Sequence, residues 1–226
     1  MSMTVSEAVL SRRSIRQFRD QPVALETIRD VLDKARWTPS GCNFQPWECT
    51  VLTGAPLKAL QEVLLASPMD DPLEYRFDAP DPHPEYKGRM RELGHCMYQA
   101  VGIERSDRAA RESFANQNVV SFGAPVLLLS HFPKFMGPPQ WSDVGMWLQT
   151  IMLLARDHGL DTCPQEFMGM YGRTIKAHLG LSDDTLLFCG IALGHRDESV
   201  PVNNFQRQRV ELEEQVRFLG FETVTA

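Results

Sequence analysis

The chain has 226 residues, 43% of them hydrophobic, so it can bury a sizeable core in one or two domains. Its net charge of −6 argues against a nucleic-acid or anionic-membrane partner, since both require a basic surface. No run approaches the ~18 consecutive apolar residues of a membrane helix, and the N-terminal residues lack the charged and apolar regions of a secretory leader, so the expected location is the cytoplasm.

Val5, Ala8, Val9 and Leu10 predict a short helix, which gives way at Arg12-Arg13-Ser14-Ile15-Arg16 to an extended segment. Guanidinium groups can offer paired hydrogen bonds to phosphate, so three arginines crowded into an acidic chain suggest a small anionic ligand. A solvated basic helix end is the plainer alternative. Ala24 to Trp37 predicts an amphipathic helix, and Pro39 stops it. Residues 39–47 form a turn-rich loop carrying Ser40, Gly41, Asn43 and Gln45. Glu48 to Thr53 predicts a strand, and Pro56 starts a helix reaching about Ala66.

Residues 68–84 hold five prolines among acids and aromatics, which suggests an ordered excursion or lid. Helices are expected over Lys87–Gly102 and from Ser106-Asp107 towards Asn118. Val126 to Ser130 and Thr185 to Leu193 are apolar runs bounded by turn signals, as buried strands are. Trp141 to His158 is the strongest helix and is apolar around most of its circumference. Such a helix is central to a core, meets a partner subunit, or does both. Thr162 to Phe167 reads as a connector, Arg173 to Leu179 as a small helix, and 201–209 as irregular. Leu212 to Phe218 closes with a short helix or strand, and no domain linker appears, so residues 1–226 read as one α+β domain.

Cysteines 42, 49, 96, 163 and 189 are odd in number and form no Cys-x-x-Cys pair, which suits free thiols in a reducing compartment. The scattered histidines offer no metal-ligand spacing. Neither a Gly-x-Gly-x-x-Gly turn, a Walker A loop nor a Gly-x-Ser-x-Gly elbow occurs.

Four blocks, in order, carry a resemblance: Ser11–Arg16, Thr38–Trp47, Cys163–Glu166, and Cys189–Gly194 continuing to Asn203–Arg209. Together they resemble the FMN-dependent nitroreductase family, and within it the nitrobenzoate-reductase-like members. The resemblance implies an α+β homodimer with a central, mostly antiparallel sheet and FMN at the interface. It implies that Arg12, Arg13, Ser14 and Arg16 hold the FMN phosphate, ribityl chain and pyrimidine edge, with Arg207 and Arg209 returning to the phosphate. Ser40, Gly41 and Asn43 would reach the flavin from the other subunit, and Gln45 would also bind the cofactor. Pro164, Gln165 and Glu166 would line the ring, and Gly190 and Gly194 would permit close approach. Arg16 is the cation that would favour the reduced ring.

The implied reaction is ping-pong. NADPH or NADH delivers hydride to the flavin, and a small aromatic acceptor, a nitroaromatic above all, then takes its place. No side chain need act as nucleophile or general acid, so no catalytic residue is named. Phe167 stands where many relatives have glycine, and Gly41 replaces a common second serine. Gln117 and Asn118 are the nearest candidates for the pyrimidine edge. Ser40 and Asn43 as turn caps, and Arg207 and Arg209 as a surface charge pair, are the structural alternatives. Three other functions stay open. One is the same fold acting on a quinone, enone or halogenated aromatic. Another is a flavin-binding protein without turnover, and the last a hydrolase using Cys163 or Cys42.

Overall fold

The computed structural model describes residues 3–76 and 83–221. Among these, four strands form one antiparallel sheet: β1 (Glu48–Thr53), β2 (Val126–Pro133), β3 (Asp161–Gln165) and β4 (Thr185–Gly194), in the order β1-β2-β4-β3. β2 and β4 are central and nearly wholly buried, which is why both read as continuous apolar runs.

Side-chain alternation sends these strands into two cores. Val126, Leu128, Ile191 and Leu193 meet α2 (Leu25–Ala35) and the long α6 (Pro138–Asp157) on one face. Leu127, Leu129 and Leu187 meet α3 (Gly54–Ala66) and α7 (Gly172–Leu179) on the other. The sheet is therefore covered on both sides, giving the expected α+β architecture. Between Ser130 and His131 the register slips, leaving Phe188 of β4 outside the ladder. Its free carbonyl accepts from the Tyr75 hydroxyl at 2.6 Å.

The first helix, α1 (Val5–Ser11), starts in a reciprocal cap between Thr4 and Glu7 and ends at Arg12, whose backbone is extended. The remaining helices are α4 (Pro84–Ala100), α5 (Arg108–Asn116) and α8 (Leu212–Gln215). α6 begins three residues before Trp141, because Pro138 and Pro139 occupy its first turn, where no N–H is needed.

One expectation needs correction. Thr162–Phe167 is not a connector: its first part belongs to edge strand β3, followed by a 3₁₀ segment over Glu166–Tyr171. Residues 68–76 of the proline-rich stretch are ordered against the helix α7 and the strand β4. Asp71 is buried and accepts from the Thr174 N–H at 2.7 Å and from Arg173 Nε at 3.1 Å, tying it to the start of α7. Glu74 pairs with Lys176, with Lys134 at 2.8 Å, and with the Leu187 N–H at 3.3 Å. Residues 77–82 of that stretch lie outside the described residues.

Candidate functional site

Ile15 and Phe18 anchor the segment after α1, being almost fully buried beside Phe122, Cys163 and Ala192. Ser14 pairs in parallel with Thr162 of β3, and the Ile15 N–H donates to the Thr162 carbonyl at 3.0 Å. These contacts leave Arg12, Arg13, Ser14 and Arg16 half-buried along the sheet edge.

The C-terminal arm is tied to the same segment by Asn203. This buried side chain accepts from the Arg16 N–H and donates to the carbonyls of Gln17 and Asp197, each at 2.8 Å. Beyond it, Arg13 lies over the Phe205 ring and donates to the Phe205 carbonyl. Arg207 donates to the Leu10 carbonyl at 3.1 Å. The ends of the chain thus bring Arg12, Arg13, Arg207 and Arg209 together.

Their titration reflects the crowding. Burial, then the neighbouring Arg209, lowers the pKa of Arg12. Burial, then Arg196, does the same to Arg13, and Arg207 is lowered by burial and then by Arg12, Arg209, Arg13 and Arg196. No ion pair with a carboxylate is formed by Arg12, Arg13, Arg16, Arg207 or Arg209 among the described residues. Such a cluster is a built-in demand for an anion. The nearby buried carboxylate, Asp161, is already taken: it accepts two hydrogen bonds from Arg196 at 2.6 and 2.7 Å and one from Arg156 at 2.9 Å. Sequence reading missed Asp161 and Arg196, because nothing in one dimension links residues that far apart.

Along β3 the side chains alternate. Cys163 and Gln165 point inwards, while Pro164 and Glu166 are exposed. Gln165 Nε2 donates to the backbone carbonyl of Asn118 at 2.9 Å and to its side-chain oxygen at 3.1 Å. Asn118 is therefore brought to the site, whereas Gln117 contributes a backbone carbonyl to the Phe122 N–H. Gln165 Oε1, Thr162 Oγ1 and Ser121 Oγ are buried without a partner in the chain. Ser121 and Phe122 both have left-handed backbones, at φ +53° and +54°. Strain of that kind concentrates at functional sites.

Gly190 pairs with Gln165, and Gly194 with Asp161, across the ladder between β4 and β3. A methyl group at Gly190 would meet Met168 at 2.9 Å, and one at Gly194 would meet Pro125 at 2.6 Å. Both glycines make room for the protein's own side chains.

The loop carrying Ser40 to Gln45 sits elsewhere on α6. Gly41 N–H donates to both oxygens of the buried Asp143 carboxylate, at 3.2 and 3.3 Å. Ser40 Oγ accepts from the Gln45 N–H at 2.9 Å, and Gln45 Nε2 donates to the Asn43 carbonyl at 3.0 Å. Cys42, Asn43 and Gln45 have φ of +50°, +59° and +48°, and residues 41–45 are all exposed. The arginine cluster is tethered to the far end of α6, where Arg156 Nε donates to Ser11 at 3.4 Å. Asp143 and Arg156 are thirteen residue steps apart on the helix, about 20 Å along the axis.

The cysteines are free thiols. Burial pushes Cys163 up to about 11 against the opposing pull of Arg16 and Arg12, so it is a protonated thiol and a poor nucleophile.

An antiparallel sheet covered by helices on both faces, with a cluster of arginines at its edge, defines an α+β protein. The chain belongs to the nitroreductase family, whose model matches residues 9–195. It is 36% identical over 217 residues to a 4-nitrobenzoate reductase of Pseudomonas putida, covering 95% of each chain. It is 35% identical to a nitrobenzene nitroreductase of Ectopseudomonas oleovorans, covering 95% of this chain and 96% of the relative. Among solved structures, it resembles the FMN and NADPH-dependent nitroreductase NfnB from Sphigopyxis sp. strain HMH, with 43% identity, a TM-score of 0.89, and coverage of 97% and 100%.

Proposed function

We propose that this chain is a homodimeric, cytoplasmic FMN-dependent oxidoreductase that uses NADPH, or NADH, to reduce nitroaromatic compounds, nitrobenzoates among them. The observation that carries the reading is the set of arginines from both chain ends that meet without a carboxylate partner beside β3.

FMN fits these residues in two respects. Its phosphate dianion supplies the missing counter-charge. Its ring edge, which carries both N–H and C=O groups, suits the unpartnered Gln165 Oε1 and Thr162 Oγ1. Arg12, Arg13, Ser14, Arg207 and Arg209 would hold the phosphate and ribityl chain. Arg16 would place positive charge where the ring gains electrons. Pro164, Gln165 and Glu166 would line the ring, with Asn118 steadying Gln165. When bound, the flavin supplies hydride acceptance from a nicotinamide and delivery of electrons to the acceptor. The protein orients, neutralises charge and excludes water, and needs no nucleophile.

Ser40, Gly41, Asn43 and Gln45 would serve the site of a second copy. The length of α6 between Asp143 and Arg156 supports this division, since it holds the loop well away from the arginines of its own chain. Exposed Trp37, Phe44 and Met146 offer apolar surface for the second copy to cover.

The purified protein tests the reading. It should show flavin absorption bands and oxidise NADPH with 4-nitrobenzoate or nitrobenzene. Failure to bind added FMN overturns the proposal. Bound FMN with no turnover of any nitro compound leaves a flavin-binding protein. Turnover only with quinones, enones or halogenated aromatics reassigns the acceptor.

A further inference from the structure

A cavity of about 1120 Å³ lies between α4, α5 and the segment after α1, and Arg16 is part of its wall. Its lining is mixed. Leu93, Met97 and Ile103 give it apolar surface, while four arginines (16, 91, 105 and 111) face it against two glutamates (92 and 104). In a chain of net charge −6, this local excess of positive charge needs a reason.

Arg111 supplies the most specific feature. Its guanidinium lies over the Tyr98 ring, 4.9 Å from the centroid, and one end makes a long 3.4 Å contact with the Arg105 carbonyl. Its Nε is buried and has no hydrogen-bond partner. Stacking on an aromatic face leaves the guanidinium to hydrogen-bond in its own plane, and because Nε is enclosed, its terminal nitrogens are the groups that can meet a ligand in the cavity. That pair matches a planar carboxylate bidentately. No ion pair of Arg111 with an acid occurs among the described residues.

We propose that Arg111 is a specificity-determining residue that binds the carboxylate of a carboxylated aromatic acceptor, whose ring occupies the apolar part of this cavity beside Arg16. The inference rests on the reductase reading above and narrows its acceptor to benzoate-type anions. A flat apolar body with one anionic end suits both linings at once. A sugar-borne phosphate would leave the apolar lining unused.

The test compares 4-nitrobenzoate with nitrobenzene, which has the same ring and no carboxylate. In the flavin-loaded protein at saturating NADPH, Arg111→Gln should lower the ratio of their kcat/KM values by at least about tenfold, through KM for 4-nitrobenzoate. Arg111→Lys, which keeps the charge but not the fork, should recover part of that ratio. Calorimetric titration with benzoate reads the same site without turnover, and its dissociation constant should rise by a similar factor in Arg111→Gln. Equal losses for both nitro compounds, an unchanged ratio, or a KM change confined to NADPH overturns the proposal. If the wild-type protein reduces neither compound yet binds benzoate through Arg111, the function reading fails and the subsite stands. Should Arg111→Gln not fold, the Lys variant decides by the same two measurements.

Discussion

The side-chain oxygen of Asn203 accepts a hydrogen bond from the backbone N–H of Arg16 at 2.8 Å, across 187 residues of chain. The same amide donates to the carbonyls of Gln17 and Asp197, so all of its work is to hold the arm bearing Arg207 and Arg209 against the arginines of the first segment.

Asn203→Leu should strip these three backbone groups of their partner. Each buried group left unpaired costs about 1–3 kcal/mol, so a clear drop in Tm is expected. FMN affinity should fall as well, although Asn203 is given no contact with the cofactor. A variant with wild-type Tm and wild-type FMN affinity would remove Asn203 from this role.

Arg12→Ala and Arg209→Ala should act with opposite signs on two properties. Each removes a charge-assisted contact to phosphate, worth about 1.5–3 kcal/mol, so FMN binding should weaken by tenfold or more. Each also relieves repulsion, because after burial it is the neighbouring Arg209 that lowers the pKa of Arg12. The flavin-free variants should therefore melt at or above the flavin-free wild type. Titration of the stripped proteins with FMN, alongside thermal melts, checks both signs. Lower stability of the flavin-free variants would mean that the arginines serve the fold.

Stability should fall with acid through His131. This residue is buried in β2, with Thr50 Oγ1 at 3.2 Å and the Glu48 carboxylate at 3.3 Å. Burial lowers its pKa below 6.5, and Glu48 only partly opposes that. The unfolded chain therefore takes up a proton at a pH where the folded chain does not. Stability is lost as pH drops below about 6.5, until the folded form also protonates. His131→Gln should flatten the Tm-against-pH curve between pH 7 and pH 5. An identical slope in wild type and variant would exclude His131 as its source.

A mixed dimer should recover activity if sites are shared between copies. Asn43→Ala chains combined with Arg12→Ala chains would then form one site with both defects and one with neither. About half of the wild-type activity per heterodimer should return. If each site is built from one chain, every site keeps a defect and the heterodimer works only as well as its parents.

Most helices were legible because their apolar residues recur with helical spacing over many turns, as Ile28, Val31 and Ala35 do in α2. The central strands were legible because burial on both faces makes them uniformly apolar. β3 was not, because it is five residues long and carries Pro164, and because its pairing partner lies beyond α7. The arginines were legible as a local excess of charge and through the family resemblance. Their convergence with Arg196, and the occupation of Asp161, depend on side chains far apart in sequence. At Gly194 the need for a glycine was legible through the resemblance, but its close neighbours Pro125 and Phe18 come from distant parts of the chain.

α6 also acts as a ruler. Asp143 fixes the exposed loop near one end, and Arg156 holds Ser11 and Asp161 at the other. A deletion of four residues between them would draw the two attachments about 6 Å closer while turning one by roughly 40° relative to the other. If two copies share their sites as proposed, a twofold dimer applies any such change to both, and both sites would lose their alignment together. Point substitutions on the solvent side of α6 should be tolerated, but its length between these two residues should not vary.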